Sequence, residues 1–162
     1  MLSITFSIPA FSDTNICSGE PTITDPGKVI ASPNYPNEYE NNFDCHVTVR
    51  YVGSRVRLQL VDVAIEYYRL YIRCHLATGL EREHHCKLPT DWLEIRDDNS
   101  TNSKLIAKIA GQSSWPTGHS TGLLDVSKKH PTFFKEIPEI ESSGEFMTIV
   151  FHSNDKIDRR NR

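Results

Sequence analysis

The chain has 162 residues, 38% of them hydrophobic and 24% charged. That suits one globular domain with a real core and excludes a disordered tail. A formal net charge of -3 and a pI near 6.1 leave no footprint for nucleic acid. No apolar run approaches the ~20 residues of a membrane-crossing helix, so no membrane contact by this chain itself is expected.

In chain order, residues 1–16 open with "MLSITFSIPAFS" and read as a leader. It is the remnant of a secretory signal, with Ala10 and Ser12 near a cleavage point, or a first strand, or the product of a truncated gene model. "SPNYP" follows at 32–36, where Pro33 and Pro36 fix their own φ and bias Ser32 and Tyr35 away from helix. Strand signals then dominate. "CHVTVRY" sets Val47, Val49 and Tyr51 on one face, and "RVRLQLVDV" does the same with Val56, Leu58 and Leu60. "WLEIRD" alternates less cleanly, and "KLIAKIAG" follows the polar turn "DDNSTNS". "EFMTIVFHS" sets Phe146, Thr148 and Val150 against Met147, Ile149 and Phe151. Short strands between Gly, Pro, Asn and Asp predict an all-β, antiparallel sandwich. Residues 67–90 and 112–140 do not alternate and are expected to be long inserted loops. No repeat and no second domain is apparent.

Four cysteines stand at 17, 45, 74 and 86. In an exported chain they imply two disulfides among three pairings; in a reducing compartment they imply metal or free thiols. Asn99 begins "NST", an N-glycosylation acceptor in a loop-like polar run, which favours export.

The order Cys17, Gly27, "IASPNYPNEY", Cys45, "VRLQLVDVAIE", Cys86, "DWLEIRD", "FMTIVFHSND" resembles a CUB domain, from Cys17 to about Asp155. The family comprises extracellular, jelly-roll-like sandwich modules of developmental and complement proteases and receptor ectodomains. The resemblance assigns 17–162 to this domain, with insertions at about 67–85 and 112–140. It implies a Cys17–Cys45 bridge. Ala110 stands where the partner of Cys86 would be, which leaves Cys74 as the candidate for a Cys74–Cys86 bridge. The family also closes with a Gly-Phe segment and a last strand, whereas this sequence ends "SNDKIDRRNR"; a missing final strand and a truncated C-terminus are expected.

Many CUB domains hold calcium with three acids at one end of the sandwich, supported by a tyrosine. By resemblance, Glu66 and Asp91 match two of the acids, and Tyr39 matches the support. The third position falls on Asn154, with Asp155 next to it. Asparagine is an allowed but uncharged calcium ligand, so a weakened site is expected. The competing view is that these are solvated rim acids without metal. In the family, this end receives a lysine or arginine from an extracellular partner protein. Glu38, Glu40, Asp62, Asp97 and Asp98 are expected to add negative potential around it.

"CHLATGLEREHHC" offers Cys74, His75, His84, His85 and Cys86 as zinc ligands. Their spacing lacks the tight pairs of most zinc folds, so a disulfide with surface histidines is the preferred expectation. "EREHH" is not HExxH and no GxSxG is present, so no catalysis is expected. The reading is thus a calcium-ordered interaction module of a larger receptor-accessory or secreted protein. "EIESSGEFMTIVF" resembles CUB domains of neuropilins and neuropilin/tolloid-like receptor accessory proteins. The alternatives are a noncatalytic adaptor domain of a secreted metalloprotease and a calcium-free structural spacer.

Overall fold

A computed structural model describes residues 2–4, 14–20, 22–65, 91–112, 122–127, 132–134 and 138–154. Its strands are β1 (Leu2–Ile4), β2 (Thr14–Asn15), β3 (Thr22–Ile23), β4 (Ile30–Ala31), β5 (Asp44–Arg50), β6 (Val56–Gln59) and β7 (Ala64–Ile65). They continue with β8 (Trp92–Asp97), β9 (Lys104–Gln112), β10 (Gly122–Asp125), β11 (Thr132–Phe133), β12 (Glu139–Glu141) and β13 (Phe146–His152). The larger sheet runs β11-β10-β9-β8-β13-β5-β3, with β7 beside β9. A smaller sheet runs β1-β6-β12, and β2 pairs with β4. The fold is all-β, as expected.

The alternating residues form the core. Val47 and Val49 from β5, Ile95 from β8, Ile109 from β9, and Met147 and Ile149 from β13 are at most 1% exposed. Val56 and Leu58 from β6 join them from the smaller sheet in one cluster. Branched and aliphatic side chains at every second position bury one face of each strand, the main favourable contribution to such a fold. Thr148 departs from this pattern. Alternation places it on the solvent face, yet it is fully buried. Its hydroxyl donates to the Asp98 carbonyl (2.8 Å) and faces Thr48 Oγ1 at 3.4 Å. The turn after β8 folds over that face and satisfies the hydroxyl.

Two expectations change. The pairing is mixed: β1–β6, β2–β4 and β3–β5 are parallel, while the other pairs are antiparallel. Pairing between distant segments leaves no local sequence signal, so alternation alone could not reveal it. Within 112–140, three strands appear where a loop was expected. β10 pairs with β9 in the register Leu124↔Ala110, β11 extends that sheet, and β12 pairs with β6. Their two-to-four-residue lengths are too short for a period-2 pattern to register. The expected missing strand falls beyond Asn154, outside the described residues. Cys74 and Cys86, the histidines between them and the expected 67–85 insertion also lie outside.

The opposite face of the larger sheet carries a polar ladder. Lys108 Nζ lies 3.7 Å from the Trp92 ring centroid, and Trp92 stacks on His152 at 4.2 Å. His152 Nδ1 lies 2.7 Å from Asp44 Oδ1. Glu94 accepts from Arg96 at 2.6 Å and pairs with Lys108 at 3.0 Å. Burial pushes the Glu94 carboxyl up, but Arg96 and Lys108 outweigh it and hold the group below its ordinary range.

Candidate functional site: a buried aspartate at one end of the sandwich

The stretch around Pro33 and Pro36 folds as a turn. Tyr35 N–H donates to the Ser32 carbonyl (3.3 Å) and Asn37 N–H to the Asn34 carbonyl (2.8 Å). The Tyr35–Pro36 peptide is cis. Asn34 adopts a φ of 66°, a left-handed conformation that asparagine tolerates, and its carboxamide donates to the Glu38 carbonyl at 3.1 Å. The turn presents two tyrosines to two different acids. Tyr35 Oη donates to Asp62 at 3.1 Å, and Tyr39 Oη donates to Asp91 Oδ2 at 2.9 Å. The Tyr39 ring meets Phe151 edge-on, with centroids 5.0 Å apart, which fixes its direction.

Asp91 directly precedes β8 and is 4% exposed. Its second oxygen, Oδ1, accepts the backbone N–H of Asn154 at 2.8 Å, just past β13. Tyr39, Asp91 and Asn154 thus converge, although they are far apart in sequence. The Asn154 contact with Asp91 is made by its main-chain N–H. A buried carboxylate is expensive unless its oxygens are satisfied, and these two donors supply that satisfaction.

Ser153 escaped the sequence reading. Its Oγ accepts from Phe43 N–H (2.9 Å) and donates to the Glu40 carbonyl (3.0 Å). Ser153 N–H donates to the Phe43 carbonyl (2.8 Å), and Asn42 N–H to the Asn154 carbonyl (2.9 Å). Residues 40–43 are therefore strapped across the end of β13, which sets Tyr39 over Asp91. A small hydroxyl just after an apolar strand was the available signal.

The same end is anchored covalently. Cys17 and Cys45 form a disulfide with Cα atoms 5.0 Å apart, as the resemblance implied. Cys45 lies opposite Phe151 in the β5–β13 ladder, so the bridge ties the N-terminal segment to β5 beside the residue that meets the Tyr39 ring. Closing a loop of this separation, 28 residues, corresponds to about 3–4 kcal/mol in the chain-entropy account.

Glu66 and Asp155 lie outside the described residues. Ile65, the residue before Glu66, pairs with Gly111 of β9, and the β8–β9 ladder begins at Leu93 opposite Ile109. Among the described residues, no three acidic, histidine or cysteine side chains converge as a metal cluster.

One electrostatic expectation is corrected. Asp62 stands at this end, bonded to Tyr35, and Glu38 and Glu40 flank Tyr39. Asp97 and Asp98 instead lie at the far end of β8, about 20 Å along the strand. Asp97 Oδ1 accepts Ser143 N–H at 2.8 Å, and that contact draws its carboxyl below the ordinary range. The spacing of six residues along a strand separates the two groups, whatever their similarity in charge.

The comparisons agree with this architecture. The CUB domain family matches residues 17–161. Dog cubilin (Canis lupus familiaris) is 31% identical over 107 residues, 65% of this chain and 2% of that protein. Rat cubilin (Rattus norvegicus) is 31% identical over 99 residues, 60% of this chain and 2% of its relative. Human tumor necrosis factor-inducible gene 6 protein is 40% identical over 52 residues, 31% of this chain and 18% of that protein. The chain thus spans a small part of each of these relatives. Its family match, its strands and its Cys17–Cys45 bridge agree: the chain belongs to the CUB domain family, whose members are noncatalytic, typically extracellular protein-interaction modules.

Proposed function

We propose that this chain is an extracellular protein-docking module whose Asp91 end is ordered by calcium and receives a lysine or arginine from a partner protein. The observation that carries the reading is the buried Asp91 carboxylate, held from two sides by Tyr39 Oη and Asn154 N–H. A carboxylate so oriented has no freedom to turn away, and each oxygen keeps a further lone pair for a cation. Hard oxygen donors suit calcium, which takes 6–8 of them. Glu66, Asp91, Asn154 and Asp155 would hold the ion, and Tyr39 positions Asp91. Bound calcium supplies positive charge that draws these oxygens together. Asp62, oriented by Tyr35, then adds a second acid for an incoming basic side chain. The disulfide supports an oxidising, extracellular setting.

A second reading, the calcium-free spacer, is favoured by one observation. Both Asp91 oxygens are already satisfied by protein donors, so folding does not require an ion. Calorimetric titration of the oxidised chain with calcium, using magnesium as control, separates the two. The docking reading expects saturable heat with calcium, lost in Glu66→Ala and weak with magnesium. No heat from folded protein overturns the calcium assignment in favour of the spacer.

A further inference from the structure

We infer that Asn99 is an N-glycan attachment site whose oligosaccharide shields the groove at the far end of the sandwich, leaving the Asp91 end open for docking. Asn99, Ser100 and Thr101 are all exposed on the crown of the turn joining β8 to β9. The turn closes through main-chain donors. Ser103 N–H reaches the Ser100 carbonyl (3.0 Å), and Asn102 N–H reaches Ser100 Oγ (3.1 Å). Asn99 N–H donates to Asp98 Oδ1 at 2.8 Å. These bonds shape the crown without engaging the Asn99 carboxamide or the Thr101 hydroxyl, the two groups an Asn-x-Thr acceptor must offer. The base of the crown is pinned, because the buried Thr148 hydroxyl donates to the Asp98 carbonyl.

In the transfer step, Asn99 Nδ2 attacks the anomeric carbon of an oligosaccharide carried on a polyprenyl diphosphate. The Nδ2–C1 bond forms, the C1–O bond to the diphosphate breaks, and one amide proton is lost. The diphosphate leaves with the bonding pair.

The position of the crown decides what the sugar does. Beside it opens a groove of about 400 Å³, bordered by Asp97, Asp98, Lys104, Glu145 and Phe146. A bulky, hydrated chain rooted at Asn99 overhangs that groove. Asp91 stands at the opposite end of β8, about 20 Å away, and stays clear of the attachment point. Both ends of this sandwich display acids, and the sugar leaves one of them accessible to a protein.

The inference rests on the extracellular reading only for access to the glycosylation machinery, and the test supplies that access. The chain is secreted from glycosylating eukaryotic cells behind a heterologous signal, then treated with the amidase that releases N-glycans and leaves aspartate. The expected result is a loss of glycan mass with aspartate at position 99. The modification is expected to be absent in Asn99→Gln and Thr101→Ala and retained in Thr101→Ser. Secreted, folded protein with an unmodified Asn99 overturns the assignment. For shielding, acylation of Lys104 is expected to rise severalfold on glycan release while Lys28 stays unchanged. Equal Lys104 reactivity overturns that half. Calcium heat measured on Asn99→Gln reports separately on the docking end, so failure of one proposal is not mistaken for failure of the other.

Discussion

The two ends of β8 make opposite uses of the same side chain. Asp91 is buried, accepts a tyrosine hydroxyl and a backbone N–H from distant segments, and lies near a disulfide. Asp97 is partly exposed and accepts one N–H, from Ser143, before β13. Around it, Arg50 lies 5.1 Å from the Phe146 ring centroid, and Gly53 N–H donates to Glu145 at 2.7 Å. At the first end the acid itself is buried beneath its donors. At the second, the Asp97 and Glu145 contacts are exposed and water can replace them. The contrast shows that a carboxylate's role follows from its burial and from its donors, not from its presence on a strand end.

Substitutions break this comparison in order of expected effect. Removing the bridge with Cys17→Ala and Cys45→Ala together is expected to lower stability by about 3–4 kcal/mol, read from denaturant midpoints. Asp91→Ala removes the buried acceptor that the Tyr39 hydroxyl and Asn154 N–H share, and a loss of about 1–3 kcal/mol is expected by the same method. Tyr39→Phe keeps the contact with Phe151 and deletes one hydrogen bond, for about 0.5–1.5 kcal/mol. Asp97→Ala is expected to cost about 0.5 kcal/mol or less, because water takes over the Ser143 N–H. Equal losses for Asp91→Ala and Asp97→Ala would erase the distinction between the ends.

Acid titration sharpens it from the other side. Glu94 and Asp97 both titrate below their ordinary values when folded. Their stabilisation is therefore complete above the unfolded carboxylate range, about pH 4. It is lost as pH falls through the lowered folded values, as protons bind the unfolded chain first. Glu94→Gln is expected to flatten the decline in melting temperature below about pH 4 while leaving neutral-pH behaviour less affected.

Much of this was legible in the sequence, and for identifiable reasons. Val47 and Val49, Val56 and Leu58, and Met147 and Ile149 declared themselves through alternation, since a half-buried strand must segregate its faces. The resemblance pointed to Tyr39 and Asp91, and a hydrogen bond joins them. What escaped was contributed by the backbone or by distance. The Asn154 N–H that holds Asp91 has no side-chain signature. The Ser153 strap depends on Phe43, and Ser153 and Phe43 are 110 residues apart. The burial of Thr148 beneath the turn at Asp98 is likewise a contact between distant segments. Asp97 and Asp98 looked like neighbours of the site because charge is legible in sequence and strand direction is not.

The central claim, that the Asp91 end is the calcium-ordered docking end, is tested most directly by mapping amide chemical shifts during calcium addition to the oxidised, isotopically labelled protein. The expected result is saturable, calcium-specific perturbation concentrated at Tyr39–Asn42, Asp91–Trp92 and Ser153–Asn154. Amides of Asp97–Lys104 and Ser143–Phe146 are expected to stay still. Perturbations centred on the Asp97 end, or none at any calcium concentration, would contradict the account.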